Sequence, residues 1–188
     1  MIHIMSNAQN PLRLRKKHGS GKPTHVTSDD GKRLVEAQSL RNACVAGLVV
    51  IIIFSFFWVA LSELTNRVFP WFTVMLGFLL GHSVRLAGRG IDWRFPLLAA
   101  ALTLAGALFA NIAVGASVTA EQFGIGTVDV LRAVTTMTWP VFFDEVLTFA
   151  DAFFAIVGAG LAAFYANRRL TRSEYQALRL WYEERLNG

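Results

Sequence analysis

Residues 43–61 read ACVAGLVVIIIFSFFWVAL, a run without charge and with one weakly polar residue, Ser55. A helix rises about 1.5 Å per residue, so about 20 such residues cross the roughly 30 Å hydrocarbon core of a bilayer. Three further runs have similar length. Val68–Val84 is interrupted only by Thr73, His82 and Ser83. Phe95–Val118 is Ala-rich and carries Thr103, Asn111 and Ser117. Val146–Ala166 holds Thr148 and one carboxylate, Asp151. None alternates with the period of a barrel strand, so the backbone must be satisfied inside helices. The expected fold class is all-α: a polytopic membrane protein, a four-transmembrane-helix bundle with spans at 43–63, 68–86, 95–118 and 145–167.

The 188 residues leave no room for a sizeable soluble domain beside a membrane domain at 43–166. The apolar fraction of 54% and mean hydropathy of +0.43 are ordinary for a membrane protein. Cys44 is alone and reads as a small apolar residue. The first run starts too far along the chain, and is too long, for a secretory signal; it also lacks a small-residue cleavage site, and reads as a retained span. Of the 18 Lys and Arg, eight lie in 1–42, three in 85–94 and five from Arg168 onward. The two intervening connections carry Arg67 and Arg132 alone, among Glu63, Glu121, Asp129, Asp144 and Glu145. The positive-inside rule puts both termini and the 85–94 loop in the cytoplasm, as in a bacterial inner (cytoplasmic) membrane protein.

Segment 1–42 reads as a basic, largely disordered cytoplasmic arm. Its Arg13, Arg15, Lys16 and Lys17 are candidate lipid-headgroup contacts, at about 1 kcal/mol each near an anionic surface. No aromatic residue interleaves these charges, so nucleic acid is not expected as a partner. A short helix over Gly31–Asn42 is expected to run into the first span. Arg85 and Arg89 are expected to snorkel to the same headgroups. In the loop beyond, Gly88 and Gly90 suit positive φ, Trp93 is an interface anchor, and Pro96 opens a helix. In the segment 120–143, the spacing of Val130, Leu131, Val134 and Met137 predicts an external amphipathic helix, interfacial or re-entrant. Thr171-Arg-Ser-Glu174 has the form of a capping box and starts a cytoplasmic amphipathic helix within 168–188, with Leu178, Trp181 and Tyr182 on one side.

Gly77 and Gly81 form a GxxxG face that lets helix backbones approach; with Gly106 and Gly158 they are the expected helix-packing positions. Asp151 is the residue most in need of a partner, because a carboxylate within a span is costly. A fourth helix entering near Asp144 puts Asp151 roughly 10 Å below the outer end. Asn111 falls at matching depth on the third span, so an Asn111–Asp151 hydrogen bond is expected, with Thr148 on the same face. That polar group is read either as packing or as a pocket for a proton, an ion or a lipid headgroup. His82 has no second ligand at metal spacing, and no nucleophile, phosphate-loop or dinucleotide motif occurs. No catalytic residue, cofactor or metal site is expected.

The glycine-then-arginine run of the second span is similar to that of fluoride channels, although the Phe- and Thr-rich later helix of that family is absent. Residues 74–169 more closely resemble a group of small, uncharacterised bacterial four-span inner-membrane proteins. The likeness rests on Val-Met-Leu-Gly77-Phe-Leu-Leu-Gly81-His-Ser-Val-Arg85, the Gly88/Gly90 turn, Asn111 in the third span, and Phe-Ala-Asp151-Ala-Phe-Phe before a basic tail. The group often has Gly where this chain has Ala110. The resemblance implies architecture, with Asn111 and Asp151 as shared polar positions, and no activity. The expected role is non-enzymatic: an accessory or structural subunit acting through lipids, a membrane-protein partner or a homo-oligomer. The alternative is a small channel, transporter or lipid-handling protein using the site around Asn111 and Asp151.

Overall fold

The computed structural model describes residues 26–137, 140 and 147–187. Arg13, Arg15, Lys16, Lys17 and Asp144 lie outside the described residues, as does most of the arm expected to be disordered. Seven helices and no strand occur among the described residues: α1 (Ser28–Glu36), α2 (Leu40–Thr65), α3 (Phe72–Gly88), α4 (Arg94–Phe123), α5 (Thr127–Met137), α6 (Phe149–Ala166) and α7 (Arg172–Asn187). Three of them, α2, α4 and α6, are long and apolar enough to cross a membrane. The fourth apolar run forms α3, which is shorter at 17 residues. At 30 residues α4 is about 45 Å long, more than the hydrocarbon core requires.

Helices α2, α3, α4 and α6 run up, down, up and down. Helices α3 and α4 occupy the centre; α2 packs on both from one side and α6 on both from the other, and α2 does not touch α6. Glycine sets the closest seam, between α3 and α6. A Cβ at Gly77 would collide with the Gly158 carbonyl, one at Gly81 would lie 2.7 Å from the Ala162 oxygen, and one at Gly158 would lie 2.6 Å from the Thr73 oxygen. The two backbones are in contact, so small residues are obligatory on both sides. Gly106 serves the other seam, facing Ile51 of α2. There the core is large and apolar: Ile51, Phe54, Trp58, Leu76, Leu80 and Val114 are buried together. The outward residues Ile53, Phe56, Phe109, Phe153 and Ile156 are exposed and apolar, as a lipid-facing surface requires.

Both terminal helices meet at the basic end. The stretch 31–42 is two helices rather than one: α1 ends at Glu36, and Ser39 caps α2 by accepting from Asn42 N at 3.2 Å. Gly31 of α1 lies against the Ala177 carbonyl and Trp181 of α7, so the expected apolar side of the C-terminal helix is partly covered by this helix. The expected capping box is formed: Glu174 accepts from Thr171 N at 2.9 Å, and Thr171 Oγ1 accepts from Glu174 N at 3.4 Å.

The loop after α3 joins these parts. Ser39 N donates to Gly88 O at 3.0 Å, Arg168 N to Gly90 O at 3.2 Å, and Ile91 N to Gln38 Oε1 at 3.2 Å. The positive φ expected at Gly88 or Gly90 falls instead on Arg89, at 49°. The flanking glycines have a different cause: the Phe95 ring packs where their Cβ atoms would stand. Toward the opposite end α5 folds back on α4, burying Val130 against Ala116 and Ala120.

Candidate functional site

Local sequence places Asp151. Helix α6 begins at Phe149, with Thr148 as its N-cap in extended conformation. Thr148-Phe-Ala-Asp151 is a capping box: Thr148 Oγ1 accepts from Asp151 N at 3.3 Å, while Asp151 Oδ2 accepts from Thr148 N at 3.0 Å and Thr148 Oγ1 at 2.5 Å. Asp151 therefore stands in the first turn, about 4.5 Å along the helix axis from the cap, and not two turns inside a span. Its carboxylate is drawn to the N-terminal amides, where the helix dipole also favours an anion.

That geometry corrects one expectation. No Asn111–Asp151 hydrogen bond occurs among the described residues: Thr148 holds Asp151 Oδ2, and Asn111 does not reach Oδ1. The residues nevertheless meet. Asn111, Thr148 and Asp151 line two adjoining cavities of about 350 and 330 Å³. The first opens toward Val68, Thr119 and Gln122, the second toward Leu104, Leu108 and Phe149. Asp151 is 5% exposed and Asn111 4%. Asp151 Oδ1 is buried without a hydrogen-bond partner among the described residues. Leaving a buried polar atom unpaired costs free energy, so this oxygen calls for a donor or a cation.

Three buried hydroxyls of the bundle are satisfied locally. Thr103 donates to Ala99 O at 2.8 Å and Ser117 to Val114 O at 3.0 Å; Thr73 donates to Pro70 O. Ser55 Oγ, Trp58 Nε1 and His82 Nδ1 share the unpartnered state of Asp151 Oδ1. Of these groups only Asp151 is a carboxylate, and only Asp151 lines the two cavities. His82 lies among rings, with centroids 4.7 Å from Phe78 and 5.3 Å from Tyr165. No group of three or more His, Cys, Asp or Glu suited to a metal occurs among the described residues. Arg85 is half-buried in the last turn of α3, and Arg89 is its C-cap.

Thr119 and Gln122 are site residues that the sequence reading missed. They follow Asn111 at spacings of eight and eleven, so they continue its helical face. The cap was legible by the same rule that found Thr171 and Glu174.

The fold and site define a class: an all-helical membrane protein with a partly polar cavity at the end of the bundle opposite its basic termini. No protein-family model matches this chain, and neither does any curated protein or any solved structure.

Proposed function

We propose that this is a four-span, non-enzymatic integral protein of a bacterial-type inner membrane, with both termini cytoplasmic, whose outer cavity takes a small cationic group. The ligand class is a monovalent cation or the ammonium of a lipid headgroup. Chain path supports the fourth crossing. Helices α2 and α4 run the same way side by side, so α3 must return through the same thickness between them. The residues from Val68 to Trp71 extend its apolar length. The charge asymmetry supports the orientation. The likeness of residues 74–169 to small bacterial four-span proteins belongs to the same proposal.

One observation carries the ligand: the unpartnered Asp151 Oδ1 at the wall of a cavity shared with Asn111 and Thr148. Asp151→Asn tests it, since an amide oxygen still accepts from Thr148 N. The variant is expected to keep its thermal midpoint within a few degrees. It is expected to lose cation flux in vesicles, or retention of phosphatidylethanolamine in native mass spectrometry. Equal flux and equal retention in both proteins contradict the proposal.

A second reading, an accessory subunit, has its own observation. Helix α7 leaves Tyr175, Leu180, Tyr182 and Leu186 exposed. It predicts a co-purifying protein that is lost when Tyr182 and Leu186 are made polar.

A further inference from the structure

The basic end of the bundle carries a separate, open cavity of about 420 Å³ between α1, the turn after α3 and the start of α7. Three arginines from three segments line it: Arg33, Arg89 and Arg168. Asp30 and Glu174 line it too, but both are engaged as helix caps. Asp30 accepts from Thr27 N at 3.2 Å and Thr27 Oγ1 at 2.9 Å. Glu174 accepts from Thr171 N and, at 2.6 Å, from Arg168 Nη2. Arg33 and Arg89 form no ion pair among the described residues. Arg33 acts on Asp30 through its charge without pairing with it, so its guanidinium and that of Arg89 remain to meet an external anion.

The backbone fixes where Arg89 stands. This residue holds φ at 49°, a left-handed conformation that costs a non-glycine residue free energy, although glycines stand on either side. The conformation is that of a helix C-cap, with Arg89 N donating to Arg85 O at 3.2 Å, and it sets Arg89 at the wall of the cavity.

We propose that this space binds a phosphate-bearing anion, held by Arg33 and Arg89, with Arg168 behind them and the Ser173 hydroxyl as a further donor. Guanidinium forks match phosphate oxygens in pairs, which an ammonium cannot do. Arg89 and Arg168 stand one and two residues beyond the ends of α3 and α6. That is the level of lipid headgroups, so an anionic lipid is one source of the phosphate; a soluble phosphate compound is the other. The ligand would tie α1 to α7, and the site does not depend on the far-end cavity or on which end faces the cytoplasm.

The test uses the full chain in nonionic detergent, with phosphatidylglycerol, phosphatidylcholine and inorganic phosphate as probes, read by native mass spectrometry and thermal midpoint. Retention of phosphatidylglycerol over phosphatidylcholine supports a headgroup site, and a midpoint raised by phosphate alone supports a soluble ligand. Arg33→Gln is expected to weaken the response tenfold or more. Arg89→Gly separates recognition from folding. Without ligand it is at least as stable as the wild type, since the backbone strain is relieved, yet it loses the anion response. The proposal is overturned if the wild type treats the two lipids alike and ignores phosphate. It is equally overturned if both variants respond as the wild type does.

Discussion

Thr148 carries two duties in one side chain. It caps α6 by accepting from Asp151 N, and it donates to Asp151 Oδ2, fixing which carboxylate oxygen is left toward the cavities. Thr148→Val removes both bonds while keeping shape. It is expected to cost about 1 kcal/mol of stability in thermal unfolding, with Thr148→Ser restoring most of it. An unchanged midpoint for the valine variant would mean that the cap carries no weight. Asp151 and Asn111 were legible as the polar pair to examine, because charge and amide are costly inside apolar runs. Their contact was not. The apolar run begins at Val146, whereas the helix starts where a Thr can cap it, at Phe149. Residues that line the cavity through ordinary helical geometry, such as Gln122, carry no signal until Asn111 is known to face it.

At the scale of helices, the α3–α6 seam predicts a sharp contrast between glycines. Gly77→Ala must push two backbones apart and is expected to cost 1–3 kcal/mol or more, on the order of other overpacked sites. Gly160 is exposed in α6 with nothing within 4 Å of its Cβ position. Gly160→Ala is therefore expected to be neutral or to stabilise by about 0.5–1 kcal/mol. Thermal unfolding of the two variants side by side decides the matter, and equal effects would deny the seam. The GxxxG spacing pointed to close approach, but only the folded chain names Gly158 and Ala162 as its other half.

The terminal helix pair predicts a pH response. Hydrogen bonds from the Thr27 backbone and hydroxyl, aided by Arg33, hold Asp30 below its usual range. The Thr171 backbone, then its hydroxyl and Arg168, do the same for Glu174. A depressed carboxylate stabilises the fold above its unfolded value, and the contribution is lost as pH falls through the folded value. Amides of α1 and α7 are expected to keep their hydrogen-exchange protection from neutrality to about pH 5, and to lose it in more acid solution before the bundle does. The size is modest, since Asp30 is exposed, Glu174 is only half-buried, and both are screened by solvent. Protection that rises on acidification would contradict the capping account.

For the whole molecule, hydropathy made the all-helical class legible, because apolar runs of this length have few other solutions in a lipid. Charge patterning gave an orientation to test. The docking of α1 on α7, and the hub formed by the loop after α3, were not legible. They rest on backbone carbonyls and one glycine contact that no periodicity encodes. In the proposed topology four crossings return both ends of the chain to one side and leave the Asp151 cavity on the other. Single cysteines in place of Asp29, Gln122 and Glu183, in a chain carrying Cys44→Ser, test it directly with a membrane-impermeant maleimide on intact spheroplasts. Labelling is expected at position 122 alone, with 29 and 183 reacting only after permeabilisation; labelling that separates position 29 from position 183 would contradict this topology.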